Sequence, residues 1–351
     1  MSLERTKSLT MGDVAQKAGV SITTVSHVIN KTRRVNQETK DSVLRAIEEL
    51  NYQTSKMQKP SGAGSNPHIG VILADVREDY YIEMIKILES LAADYGIPII
   101  FCDSEDDSEK EKKNIAMLIE RNVNGILLAP AAADDIPEIL KMITIPVVLI
   151  DRQYDRHKFL FVGINNFYSS LLGTRYLFGK GCARIGFIGY KGSVYTITQR
   201  IFGYKSALAV FGAGEYGKNP ETKILLLNYN SEDSFPLIKK FILDEHLDGL
   251  ICATSCICYE VIDVIDHLDE RVRESIKIIS YDDNRWADFL RYRVSTIAQP
   301  VAEIGNAALE ALLQAIEHPG SERPLKRELL FDTAIIDRIP TDTRDNFCQT
   351  D

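Results

Sequence analysis

At 351 residues the chain exceeds one ordinary compact unit and can bury two or three separate cores. Its net charge of -9 does not exclude a nucleic-acid partner, because residues 1–60 hold 10 Lys and Arg against 6 Asp and Glu, while the remainder holds 31 against 44. The first residues carry Arg5, Lys7 and Lys17 without an apolar run, and no stretch approaches ~18 uninterrupted apolar residues, so a cytoplasmic protein with no membrane partner is expected.

Met11, Val14, Ala15 and Ala18 recur at helical spacing, with Thr10 and Asp13 set as a capping box ahead of them. Gly19 ends this helix, and the turn is Ala18-Gly19-Val20. Ser21 caps a second helix whose inward residues are Val25, Val28 and Ile29; Ile22, Thr23, His27 and Asn30 point elsewhere. A loop with Lys31, Arg33 and Arg34 leads into a third helix from about Gln37 to Leu50, with Val43, Ala46, Ile47 and Leu50 inward. Two short helices about a glycine turn, braced by a third, form a helix-turn-helix, which lays its second helix in the major groove of DNA. A three-helix unit for protein contacts fits the same periodicity. Thr23 and Thr24 at the second helix's N-terminus, with the basic loop after it, favour phosphate and base contacts instead.

Residues 53–67 include Pro60, Gly62, Gly64 and Pro67 and bury little, so they read as a linker. From His68 onward short β-rich runs alternate with amphipathic helices. Strands are expected at 69–73, 98–101, 125–128 and 147–150, with helices near 81–95, 108–121 and 136–142. A second series has strands at 185–188, 222–227, 249–251 and 277–280, with helices near 199–211, 235–244 and 259–268. Ile69-Gly70-Val71-Ile72 and Ile185-Gly186-Phe187-Ile188 open the two series alike, as in a structural repeat. A helix at about 301–316 and a strand near 327–330 complete the lobes after crossovers. The fold class is therefore α/β: a small all-helical helix-turn-helix head (1–52), the linker with a possible short hinge helix (53–67), a two-lobed doubly wound domain for ligand binding and dimerisation (68–340), and a polar tail (341–351).

No GxGxxG, P-loop, GxSxG or HExxH pattern occurs, so no catalytic residues are assigned and a dinucleotide enzyme or sugar-processing enzyme is disfavoured. Cys252, Cys256 and Cys258 are the only clustered cysteines. They suit core packing better than a metal site, which would have to draw on His246 or His267 without any zinc spacing; no metal or other cofactor is expected.

The stretch Asp13-Val14-Ala15-Gln16-Lys17-Ala18-Gly19-Val20-Ser21-Ile22-Thr23-Thr24-Val25-Ser26-His27-Val28-Ile29-Asn30 closely resembles the DVAxxAGVSxxTVSxVxN pattern of the lactose and galactose repressor family. The resemblance runs from about Leu9 to Arg338 and includes Asp75 with Tyr80-Tyr81, Asn124-Gly125-Ile126-Leu127-Leu128, Asp151-Arg152, Arg200 with Gly203-Tyr204, and Tyr281-Asp282-Asp283. It implies a ligand-responsive, sequence-specific transcription regulator, a repressor of operator DNA, with a periplasmic-binding-protein-like body. By the same resemblance Ile22 and Thr23 read bases, Ser21 and Thr24 contact phosphate, and Asn30 ends the recognition element. His27 stands where relatives usually have Arg, which removes a bidentate guanine reader. A sensor or partner-binding protein with weakened DNA binding is the alternative.

In doubly wound sheets ligands bind beyond the carboxyl ends of the strands, where Asp75, Asp151 and Asp282 fall. Carboxylates there suit sugar hydroxyls, although helix capping or a solvated loop explains each one alone. The resemblance implies Arg200, Asp282 and Asp151 as ligand residues, with Tyr80 and Tyr81 as walls. Trp286, the only tryptophan, offers an aromatic face to a sugar ring or packs in the core. Thr254-Ser255 replaces the Asn-Asp of many relatives, and Asn165 stands near a usual acid. With Arg152 and Arg200 these changes suit an acidic or phosphorylated sugar alongside a neutral one. Residues 339–351 lack a leucine repeat, so a homodimer rather than a tetramer is expected, and a co-regulator remains an open partner. Where relatives carry a leucine wedge for the minor groove, this chain has Ser61 after Pro60. Met57 is the substitute if the register moves back one turn, and weak operator bending is the expected result.

Overall fold

The computed structural model describes residues 11–21, 24–25, 28, 36–49, 67–131, 136–154, 159–192, 194–215, 221–229, 233–283, 285–290, 293–319 and 328–340. The chain divides into two compact units between Ser65 and Asn66.

In the first unit helices span Met11–Ala18 and Gln37–Glu49, and Thr24, Val25 and Val28 are helical between them. Val14, Ala15, Val25, Val28, Val43 and Ala46 bury one small core, with Ala18 and Val20 packed against it. Gly19 adopts φ +67°, and across it the Val20 N–H bonds the Ala15 carbonyl at 3.0 Å, which closes the first helix. Ser21 caps the second helical segment, its Oγ accepting from the Thr24 N–H at 3.1 Å. Asn36 caps the last helix through Oδ1, which accepts from the Thr39 N–H at 2.8 Å, and the Ser42 hydroxyl donates to the Ala18 carbonyl at 3.2 Å. Thr10, Ile29 and Leu50 lie outside the described residues.

The second unit contains twelve described strands. In chain order they are β1 (Ile69–Leu73), β2 (Ile99–Asp103), β3 (Gly125–Leu128), β4 (Val147–Ile150), β5 (Leu160–Ile164) and β6 (Ile185–Tyr190), then β7 (Lys223–Leu227), β8 (Gly249–Cys252), β9 (Lys277–Tyr281), β10 (Val294–Ala298), β11 (Glu328–Phe331) and β12 (Ala334–Ile336). They make two six-stranded sheets, ordered β11-β5-β4-β3-β1-β2 and β12-β10-β9-β8-β6-β7. Every pairing is parallel except β12 against β10.

The two sheets repeat one plan, with β1 to β5 holding the places that β6 to β10 hold in the second. Even the second residue of the first strand matches: a Cβ on Gly70 would meet Leu118 Cδ1 at 2.4 Å, and one on Gly186 would meet Leu247 Cδ1 at 2.6 Å. Each glycine lets an apolar side chain sit directly on the strand. The central strands β1, β3, β4, β6 and β8 are buried throughout, as sheets covered on both faces require.

The chain passes between the lobes three times: after β5 into the Asn166–Gly179 helix, after β10 into the Val301–Glu317 helix, and between β11 and β12. The Val301–Glu317 helix returns to the first lobe, where Leu312 lies over Gly125 and Gly305 lies against Met84 and Ile87. Strands β5, β10 and β12 and the Asn166–Gly179 helix are elements that the sequence reading leaves out.

Candidate functional site

The order 2-1-3-4-5 within each sheet leaves a crevice outside the carboxyl ends of the strands, where the first and third strands diverge. Asp151 follows β4 and Asp282 follows β9, and both take left-handed backbone, φ 60° and 68°. Aspartate is among the few non-glycine residues that enter this region readily. The first lobe surrounds Asp151 closely: the Tyr81 hydroxyl donates to Oδ2 at 2.6 Å, and Arg152 Nε lies 3.6 Å from the same oxygen. Arg152 also bonds Asp106 through Nη1.

In the second lobe Asp282 Oδ1 accepts from Gln299 Nε2 at 2.8 Å. Burial pushes the Asp282 carboxyl up to about 7; Arg200 and Gln299 oppose the shift, while Glu78 and Asp151 add to it. Glu78 and Asp151 belong to the other lobe, so the Asp282 carboxyl feels the charge of acids from across the crevice. Arg200 Nε donates to Asn166 Oδ1 at 2.8 Å and Nη1 to the Ala253 carbonyl at 2.5 Å. Its guanidinium carbon sits 3.4 Å from the centre of the Tyr281 ring, whose hydroxyl pairs with Ser169 Oγ at 2.8 Å.

Tyr80 packs edge-on to Tyr81 with ring centres 5.3 Å apart, and its own hydroxyl is buried without a hydrogen-bond partner. The same holds for Arg152 Nε and Asn166 Nδ2. A buried polar atom left unpaired costs about 1–3 kcal/mol, so these three atoms hold hydrogen-bonding capacity that the described protein groups leave unused.

Other expected residues take different duties. The Asp75 carboxylate is held by Arg77 of its own turn, at 3.0 Å from Nε and 3.1 Å from Nη2. Trp286 lies in the Arg285–Phe289 turn, its ring 4.9 Å from that of Tyr259, with a buried Nε1 lacking a partner. Asn165 and Thr254 are helix caps, accepting from the Tyr168 N–H at 2.9 Å and the Ile257 N–H at 3.3 Å. Of the residues expected at DNA, Ser21 and Thr24 are described, their hydroxyl oxygens 2.9 Å apart. Ile22, Thr23, His27, Asn30, Lys31, Arg33 and Arg34 lie outside the described residues, as do Met57, Pro60 and Ser61.

Sequence reasoning assigned no site role to Asn166, Gln299 or Glu78, nor to Tyr281, which enters only within the Tyr281-Asp282-Asp283 stretch of the resemblance. Asn166 carries a faint signal, as an amide just past the apolar strand β5, whereas Gln299 follows the polar strand β10 and carries none. Glu78 carries none, because a glutamate before a helix ordinarily reads as a solvated first-turn acid. Among the described residues no group of three or more His, Cys, Asp or Glu is placed to hold a metal ion, and no helix is long and apolar enough to cross a membrane.

A basic helical head and a two-lobed, doubly wound body with a polar crevice define a helix-turn-helix protein carrying a periplasmic-binding-type domain. Residues 10–55 match "Bacterial regulatory proteins, lacI family", residues 66–242 match "Periplasmic binding proteins and sugar binding domain of LacI family", and residues 174–339 match "Periplasmic binding protein-like domain". The chain belongs to the lacI family of bacterial DNA-binding transcription regulators. It is 31% identical over 317 residues to the HTH-type transcriptional repressor PurR of Pasteurella multocida (strain Pm70), covering 90% of this chain and 94% of that protein. It is 29% identical over 325 residues to the HTH-type transcriptional regulator RegA of Clostridium saccharobutylicum, covering 91% of this chain and 96% of that one. Its fold is similar to that of the Cra transcriptional dual regulator of Pseudomonas putida in complex with fructose 1-phosphate, with TM-score 0.69 and 22% identity over 78% of this chain and 99% of that one.

Proposed function

We propose that this protein is a repressor that binds a two-fold operator as a homodimer, and that a sugar or sugar derivative in the interlobe crevice changes its grip on DNA. The observation that carries the sensing half of this reading is the placing of Asp151 and Asp282 at matching strand ends, with two buried polar atoms that lack hydrogen-bond partners, Tyr80 Oη and Asn166 Nδ2, and Arg152 Nε held only by an ion pair with Asp151. Carboxylates accept from hydroxyls, the amide and guanidinium donate to them, and a tyrosine hydroxyl does either, a set that fits a polyhydroxylated ring. The DNA half rests on the basic head and on the family. Ser21, Ile22, Thr23, Thr24, His27 and Asn30 meet the operator, and Lys31, Arg33 and Arg34 neutralise its backbone. Pro60 and Ser61 keep the linker from wedging the minor groove strongly.

Selection of random duplexes by the full-length protein tests the reading. Enrichment of a palindrome with half-sites one helical turn apart is expected. Recovery of no common sequence would overturn the repressor assignment in favour of a sensor that does not read DNA.

A further inference from the structure

Arg77, Glu78 and Asp79 form a run at the start of the Asp79–Asp94 helix of the first lobe, and all three reach residues of the second. The Arg77 guanidinium stacks 4.6 Å over the Tyr229 ring, and Asp79 accepts from the Tyr259 hydroxyl. Glu78 lies between them and is 7% exposed. Its Oε2 accepts from Ser255 Oγ at 2.8 Å and from the Cys256 N–H at 3.3 Å. Those are the first two residues of the 12-residue Ser255–Asp266 helix, which follows the carboxyl end of β8.

That position is where a helix offers unsatisfied N–H groups and the positive end of its dipole to an anion. A ligand phosphate or carboxylate reaching this helix start would meet a receptor of that kind. In this chain the receptor already holds a carboxylate, delivered from the opposite lobe. The arginines of the crevice are similarly committed: Arg77 to Asp75, Arg152 to Asp106 and Asp151, Arg200 to Asn166, Ala253 and the face of Tyr281. The small hydroxyl of Ser255 leaves room for this carboxylate and donates to it.

We propose that Glu78 is a specificity-determining residue: its carboxylate occupies the anion position at the N-terminus of the Ser255–Asp266 helix and so restricts the crevice to uncharged ligands. This deepens the sensing role proposed above and rests on it. An incoming phosphate has to displace Glu78 into a buried, acid-rich surrounding or sit beside it, and close like charges repel strongly at the effective dielectric of a protein.

The experiment uses the full-length protein and Trp286, the only tryptophan, as reporter; its contact with Tyr259 couples it to the Asp79 side of the same interlobe junction. Wild type, Glu78→Gln and Glu78→Ser are titrated with inorganic phosphate, following indole fluorescence. Phosphate affinity is expected to rise from wild type through Glu78→Gln to Glu78→Ser, by at least ~10-fold overall, as charge and then volume leave the helix N-terminus. A cooperatively unfolding Glu78→Ser protein that binds phosphate no better than wild type would overturn the assignment. Wild type alone provides a second test with ribose, fructose, glucose and their monophosphates: a stronger response to any monophosphate than to its parent sugar also overturns it. Neither arm involves DNA, so operator selection decides the regulator reading separately. An enriched operator together with phosphate binding by wild type would remove only the role given to Glu78.

Discussion

Asp151 and Asp282 occupy the same point of the two sheets, and each sends its backbone N–H to the neighbouring strand at 3.1 Å, to Val162 in one lobe and Ile297 in the other. The repeat thus delivers two carboxylates to one crevice by the same turn, used twice. What differs is their surroundings. Asp151 is held by a tyrosine and an arginine of its own lobe, whereas Asp282 is held by an amide and sits within the field of a cation from the Arg200 side.

Tyr81→Phe is expected to lower stability by about 1–3 kcal/mol, because it takes from the buried Asp151 carboxylate its shortest hydrogen bond while leaving the ring in place. Thermal unfolding of the two proteins at neutral pH checks this. An unchanged midpoint would mean that water replaces the phenol at no cost.

Asp282 sets a pH dependence with a definite sign. The folded protein keeps this proton up to about 7, whereas an unfolded aspartate releases it near ~3.9. Across that window the native state binds more protons than the unfolded state, so this group makes stability fall as pH rises. Burial raises Glu78 and Asp106 in the same direction. Asp282→Asn removes one contribution, so its midpoint relative to wild type is expected to climb between about pH 4 and about pH 7. A difference in midpoint that stays flat across that range would contradict the buried, proton-holding carboxyl.

Ser21→Ala removes the cap on the second head helix and is expected to destabilise that helix by about 0.5–2 kcal/mol. Hydrogen exchange at the Thr24 amide, which loses the Ser21 hydroxyl and keeps only the Ser21 carbonyl, reports it directly. Operator affinity is expected to fall as well. Unchanged exchange with weakened DNA binding would mean that Ser21 acts on phosphate alone.

Much of the architecture was legible because its signals are local. The first head helix carries an inward stripe of Val14, Ala15 and Ala18, and β1, β3, β4 and β8 are short apolar runs bounded by turns. Strand β10 was not legible, for a physical reason. Its Ser295 and Thr296 are fully buried yet polar, and they are satisfied by side chains remote in sequence: Tyr176 at 2.7 Å on Ser295, and Asp283 at 2.6 Å and Arg338 at 3.0 Å on Thr296. The crevice divides the same way. Aspartates at strand ends announce themselves by position, but that Arg77 takes Asp75, or that Glu78 reaches Ser255 across 177 residues, depends on how two lobes close and on no local pattern.

The most direct test of the whole account measures operator affinity of wild type and Arg200→Lys with and without each sugar of a panel. Lysine keeps the charge but loses the planar fork that bridges Asn166 and Ala253 and stacks on Tyr281. At least one sugar is expected to shift wild-type affinity for the operator by about 5–150-fold, the usual span of coupling between two sites. In Arg200→Lys that shift is expected to vanish while affinity without sugar stays within about threefold, a change smaller than the coupling itself. An equal shift in both proteins, or no shift in wild type with any sugar of the panel, would contradict control of DNA binding through this crevice.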